Sequence, residues 1–154
     1  MLTNLADREV LASETVLKAQ LCRKLELTFP KAVVIRNEDP VKIRSGIPDI
    51  SFTWQGTTSW IEGKRAIPKI RTAHKIQIYT MLKLAATSNA FYVVWAEKDG
   101  VERTFIVSPT LIHKDLWDFN CMNVLKGQYG VDGIDHNFII DHLREIHHVD
   151  TRST

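Results

Sequence analysis

Apolar and polar positions recur along this chain in two rhythms. Between residues 13 and 28 the apolar line is Leu17, Leu21 and Leu25, with Val16 alongside. That spacing predicts an amphipathic helix. Ser13 can cap its start and Pro30 ends it. Glu14 lies on the same line, one turn before Leu17. A carboxylate on the buried side of a helix is costly unless it is paired or bound to a cation. In the first turn it can instead stay wet near the positive end of the helix dipole, and both readings stand at this point.

The rhythm then changes. Residues 32–36, Ala-Val-Val-Ile-Arg, are β-branched and predict a strand. A polar loop follows over 37–46. Residues 47–54 and 59–65 predict a hairpin around Gln55-Gly56-Thr57-Thr58, and 72–87 a second helix. The run 90–96 is nearly all apolar, as in a central strand covered on both faces. Lys98-Asp99-Gly100 turns into another strand over 101–107. Ser108-Pro109 reads as cap and first turn of a third helix reaching about Phe119. Residues 126–133 are glycine-rich and read as a loop. Asp135 can cap a last helix with Ile139, Leu143 and Ile146 on one side. Residues 151–154 are expected to fray. The order helix, three strands, helix, two strands, helices predicts a mixed α/β domain with one central sheet.

Composition narrows the class without deciding it. At 154 residues and 44% hydrophobic content the chain suits one domain with a real core. A formal net charge of +2 rules out a polycation, so any nucleic-acid surface must come from local clustering of Lys and Arg. Cys22 and Cys121 have no partner pattern, no apolar run approaches a membrane span, and no signal-peptide core opens the chain. An intracellular, soluble protein is expected, with no membrane partner.

The chemistry lies in Gly46-Ile47-Pro48-Asp49-Ile50 and, thirteen positions on from Asp49, Glu62-Gly63-Lys64. Glu62 and Lys64 are two apart and leave the same face of a strand. A two-residue hairpin loop sets Asp49 opposite Glu62, a four-residue loop sets it opposite Lys64, and an odd loop needs a bulge. Two close carboxylates repel unless a cation sits between them, and one lysine cannot neutralise both. Oxygen ligands favour a hard ion, Mg²⁺ with Mn²⁺ able to substitute. A metal beside a lysine suits the cutting of a phosphodiester. Lys64, Arg65, Lys69, Arg71, His74 and Lys75 crowd one segment, and Lys42 and Arg44 precede Asp49. Such residues could contact phosphates or could form an ordinary solvated surface. Arg36 could do the same or pair with Glu38 or Asp39. His136, His142, His147 and His148 lack the spacing of a zinc motif and read as solvated helix-face residues.

The order helix-Glu14, strand-Arg36-Asn37, Gly-x-Pro-Asp at 46–49, Glu-x-Lys at 62–64 and helix-Gln77 resembles the virus-type replication–repair nuclease (VRR-NUC) branch of the PD-(D/E)xK superfamily. The resemblance spans about residues 13–97, a little over half the chain. It implies a restriction-endonuclease-like αβββαβ core; residues 108–150, read as a helical extension, lie outside it. It implies that Asp49 and Glu62 are metal ligands, joined by the Gly63 carbonyl and by Glu14, directly or through water; Glu9 is a rival for that helix acid. Lys64 would be the catalytic lysine and Gln77 the residue that positions it. Arg36, Lys42, Arg44, Arg65, Lys69, Arg71 and Lys75 would contact DNA. The activity implied is a Mg²⁺- or Mn²⁺-dependent DNA endonuclease of replication, repair or recombination, selective for junctions or flaps. Similarity to small Holliday-junction-resolvase-like nucleases implies a homodimer. Gly63 departs from the pattern, since an apolar strand former usually stands between Glu and Lys.

Overall fold

The computed structural model describes residues 11–37, 46–70, 75–112 and 121–149, with nothing described for the side chains of Lys75 and Val124. Helix α1 (Glu14–Thr28) starts where Ser13 Oγ accepts the Val16 amide at 3.2 Å and stops at Phe29. Its line of Leu17, Leu21 and Leu25 is buried, whereas Val16, about 100° away around the helix, is exposed. Strands β1 (Val33–Arg36), β2 (Ile50–Trp54) and β3 (Thr57–Ala66) form an antiparallel meander. Helix α2 (Lys75–Thr87) then crosses over to β4 (Asn89–Lys98), which lies parallel to β3, as a crossover helix allows. The order is thus αβββαβ. Strand β5 (Val101–Val107) returns antiparallel through the Asp99-Gly100 turn, both residues at positive φ.

Two regions differ from the sequence expectation. Residues 130–132 are not loop but a short sixth strand, β6 (Gly130–Asp132), antiparallel to β5. Three residues are too few for a period-2 signal, and glycine is what lets the backbone close on Phe105: a β-carbon at Gly130 would lie 2.4 Å from that ring. After the Ser108 cap the chain makes a single 3₁₀ turn, Pro109–Leu111, and becomes extended at Ile112. The expected helix therefore does not run on from there; residues 113–119, with Leu116, Trp117 and Phe119, lie outside the described residues. A one-turn helix α3 (Cys121–Val124) and helix α4 (His136–His147) complete the chain. Asp135 caps α4, its Oδ1 accepting the Phe138 amide at 3.1 Å.

The result is a mixed α/β domain with a six-stranded mixed sheet in the order β1-β2-β3-β4-β5-β6. One face packs on α1 and α4 through Leu17, Leu21, Phe52, Trp95, Ile139 and Leu143. The other packs on α2 and the segment after β5 through Met81, Tyr92, Val94, Val107 and Ile112. Among the described residues no helix is long and apolar enough to cross a membrane.

Candidate functional site

The β2–β3 hairpin decides the register that the sequence leaves open. Gln55 and Gly56 both take positive φ, at 48° and 81°, which makes a two-residue turn whose twist suits a hairpin. Ile50 then faces Ile61, and the next step outward sets Asp49 against Glu62. There β2 ends and β3 continues, paired with β4 and, at Ala66, bridged to Ile70. The open edge of β3 is covered by carboxylates: the Gly63 amide donates to Asp49 Oδ2 at 3.3 Å and the Arg65 amide to Glu14 Oε1 at 2.8 Å. Hence Glu14 faces the sheet, and the paired reading of that acid is the one realised.

Asp49 is held in place from two sides. Asn37, at the end of β1, donates its side-chain amide to the Pro48 carbonyl at 3.0 Å and its backbone amide to the Asp49 carbonyl at 2.6 Å. Gly46 lies against α2: a β-carbon there would come within 2.7 Å of the Ile76 carbonyl, and its φ is +76°. Only glycine meets both demands. This contact docks α2 beside Pro48-Asp49, with Gln77 on the same helix. Lys64 Nζ donates to Gln77 Oε1 at 3.3 Å and stands 3.6 Å from Glu62 Oε1. Glu62, Lys64 and Gln77 are all buried. The Asp49 amide donates to Glu62 Oε2 at 3.3 Å.

Charge at this edge is unevenly held. Burial pushes the Glu62 carboxyl well above its ordinary range, and the bond to Asp49 and its charge push the same way; Lys64 and Lys18 do not reverse this. Burial pushes Asp49 up as well, but its bond to Glu62 and the Lys18 ammonium hold it below the ordinary value. The two shifts run in opposite directions, so of the pair Glu62 is the acid that more readily keeps a proton. Lys18 Nζ lies 2.6 Å from Asp49 Oδ2 and 3.1 Å from Glu14 Oε2. Burial lowers its pKa, and the charges of Asp49 and Glu14 more than restore it. Beside Glu62, the Tyr92 hydroxyl is buried with no hydrogen-bond partner.

The oxygens gathered here fit a hard divalent ion. Glu62 Oε1 is buried and accepts no hydrogen bond. Gly63 sends its amide to the Asp49 side, and a strand residue directs its carbonyl to the same side. Mg²⁺ needs only one or two carboxylates besides waters and a phosphate. Among the described residues no three acids, cysteines or histidines are close enough to hold a metal by themselves. Glu14 is engaged by the Arg65 amide and Lys18.

The expected basic surface divides. Arg65 is not a surface residue: it is buried, with its guanidinium bonded to the Ala12 and Trp95 carbonyls and paired with Glu102 at 2.5 Å. It stands one residue from Lys64 and so leaves the opposite face of β3. Lys69 is exposed. Arg36 donates to the Thr15 carbonyl at 3.4 Å, beside the start of α1. Lys42, Arg44, Arg71, His74 and Glu9 lie outside the described residues, as does the side chain of Lys75. Three of the four C-terminal histidines are packed rather than solvated: His147 is buried and bonds Ser59 Oγ at 2.8 Å, His142 stands edge-on to Phe91 and His136 edge-on to Trp95, while His148 is exposed as expected. Two contributors escaped sequence reasoning. Lys18 sits four residues after Glu14, a spacing that signals a helix-face ion pair. Asn37 stands in the order that carries the resemblance, but its hold on Pro48-Asp49 was not foreseen.

Fold and site together define a mixed α/β domain with a buried, lysine-bearing acidic pair at the open edge of one strand. No family model matches the chain, and no curated protein matches it. Among solved structures it is similar to Hjc, a Holliday junction resolvase from the archaeal hyperthermophile Archaeoglobus fulgidus, at 15% identity and a TM-score of 0.37, over 74% of this chain and 87% of that one. Similarity at that distance assigns neither site nor substrate.

Proposed function

We propose that this chain is a metal-dependent DNA endonuclease that hydrolyses phosphodiester bonds. The observation that carries the reading is the convergence of Asp49, at the end of one hairpin strand, with Glu62 and Lys64 on the other, at one sheet edge. Asp49, Glu62 and the Gly63 carbonyl would hold Mg²⁺ or Mn²⁺, with Glu14 beside them. When bound, the ion supplies an activated water and positive charge at the scissile phosphate. Lys64, held by Gln77 and Glu62, is placed to meet negative charge growing on the phosphate oxygens. Gln77 keeps that ammonium from collapsing fully onto Glu62. Both carboxylates must be ionised to serve as ligands, so the raised Glu62 would make metal uptake pH-dependent. Arg36 and Lys69, with Lys42, Arg44, Arg71 and Lys75, would contact DNA backbone; Arg65 is left out because its guanidinium is spent inside the fold.

The finer reading is a structure-selective enzyme of the VRR-NUC type, acting as a homodimer on junctions or flaps. The order of Glu14, Asn37, Asp49, Glu62, Lys64 and Gln77 supports it. The test is a cleavage panel of junction, flap, single-stranded and linear DNA with Mg²⁺ and Mn²⁺. Cleavage that requires metal and is lost in Asp49→Asn and Lys64→Ala is the expected result; cleavage retained in both variants removes the assignment.

A second reading is a DNA-binding module on the same scaffold that does not cut. The Lys18 ammonium on Asp49 favours it, because a lysine can neutralise an acid permanently. DNA binding with no cleavage under any metal would select it.

A further inference from the structure

Lys18 belongs to neither half of the Pro-Asp and Glu-x-Lys pattern, yet it makes the shortest ion pair at the site, 2.6 Å to Asp49 Oδ2. Its side chain is only 14% exposed. It reaches Asp49 by crossing Gly63, where a β-carbon would lie 3.2 Å from Lys18 Cγ and 2.8 Å from the Trp95 ring. The missing side chain at residue 63 is thus filled by the lysine stem and the indole, and the departure from the usual Glu-x-Lys triplet has a local cause.

An ammonium and a hard divalent ion cannot both hold the same carboxylate oxygen. Mg²⁺ binds oxygen at about 2.0–2.1 Å. Two cations on one oxygen repel strongly in a site this dry. We infer that Lys18 is a tethered competitor for the cation at Asp49: its ammonium must swing off that carboxylate for a divalent ion of the Mg²⁺ class to bind, so Lys18 sets how tightly the site takes metal. Glu14 gives the displaced ammonium a place to go. It lies one turn back on the same helix and already holds Lys18 at 3.1 Å, so only the Asp49 half of the bridge is given up. Glu14 would then act on the ion through Lys18, by holding the competitor aside. The inference rests on the metal-dependent reading above and adds the residue that regulates the same site.

The test needs no DNA and no cleavage. The full chain is titrated with Mn²⁺ by calorimetry, and its thermal midpoint is followed with and without Mn²⁺. Lys18→Met keeps the stem and removes the charge. It is expected to bind Mn²⁺ about tenfold more tightly than wild type, the effect of losing one opposing ion pair of moderate strength. It should also be less stable without Mn²⁺ and gain more on its addition. Lys18→Arg keeps the charge and should bind no more tightly than wild type. If Lys18→Met does not fold without metal, Lys18→Gln retains a donor to Asp49 and carries the same expectation in weaker form. Equal or weaker Mn²⁺ binding by the neutral variants overturns the competitor role while leaving the metal site standing. Absence of binding by wild type and neutral variants alike overturns both.

Discussion

Two regions of this molecule bury groups that titrate, and they do so in opposite ways. Along α4, His136, His142 and His147 each meet a neutral or aromatic neighbour: Gln20, Phe91 and Ser59 respectively. At the open edge of β3, Asp49 and Glu62 are pressed together, which helps push the Glu62 carboxyl up, and Glu62 Oε1 is buried with no hydrogen bond. Burial in the first region lowers the histidine pKa values toward the neutral form, which suits packing. Burial in the second raises the Glu62 carboxyl and leaves an acceptor, Oε1, that a ligand could use. Residue types alone do not separate the two, since the histidine-rich C-terminus looks as metal-like in composition as the acidic pair. What separates them is the group in direct contact: a neutral or aromatic side chain beside each of the three histidines, a second carboxylate beside Glu62.

The largest test of this contrast is functional. Asp49→Asn and Lys64→Ala are expected to lower metal-dependent cleavage at least about a hundredfold, the scale seen when one electrostatic group is removed from a site. His142→Ala should leave it unchanged. Comparable losses in all three would show that the two regions are not different in kind. Next in size is Gly63→Ala. The added methyl meets Trp95, a fully buried ring, and something must shift. Overpacking of this kind costs about 1–3 kcal/mol. On a chain of this length that is a fall of roughly 2–4 °C per kcal/mol in the thermal midpoint. An unchanged midpoint would mean that the indole gives way freely and that residue 63 is not matched to Lys18 and Trp95.

Much of this arrangement was legible before any coordinates. The line through Glu14, Leu17, Leu21 and Leu25 marked a helix and left its acid open between a paired and a wet role, and period-2 spacing put Glu62 and Lys64 on one face. The same alternation sends Arg65 to the other face, where Glu102 holds it; charge clustering hid a fact that strand geometry already contained. The hairpin register stayed open because Gln55-Gly56 and Gln55–Thr58 are both reasonable turns, and backbone twist chose the shorter. Strand β6 was invisible because its pairing with β5 is a tertiary choice made over three residues. Lys18 was missed for a similar reason: an i,i+4 pair with Glu14 is ordinary, and only the end of β2 brings Asp49 within reach.

The contrast also sets two opposite pH dependences of stability. Glu62 has a folded pKa raised above its ordinary 4.5, so the folded state holds a proton that the unfolded chain gives up. Its contribution is complete below about pH 4.5 and falls away as pH rises toward the folded value. The three histidines have folded pKa values below the ordinary 6.5, so the unfolded chain binds protons more readily. Their penalty begins as pH falls below about 6.5 and grows toward the lowered values. Glu62→Gln removes the first dependence and leaves the histidines untouched, though it also takes from Asp49 the Glu62 bond that helps hold it low. Measured without divalent metal, its thermal midpoint should gain on wild type by a few degrees as pH rises, while the loss below pH 6.5 is unaltered. A wild-type and variant difference that stays constant across pH would mean that Glu62 is ionised in the fold.

The finest test lies within β3 itself, because the strand serves both regions. Ser59, near its start, is fully buried and bonds His147 on α4; Glu62, three residues on, belongs to the acid pair. Ser59→Ala keeps the backbone and the volume nearly intact and removes one buried hydrogen bond, a cost of about 1 kcal/mol. The imidazole loses its neutral partner, so the decline in stability below pH 6.5 should change. Mn²⁺ affinity and cleavage should not, because β2 still pairs with this half of the strand and the register that sets Asp49 against Glu62 is untouched. If the same substitution weakens metal binding, the two ends of β3 are mechanically coupled, and the division between a packed half and a frustrated half fails. If it changes only stability, the strand is rigid enough for each half to be read by its own partners.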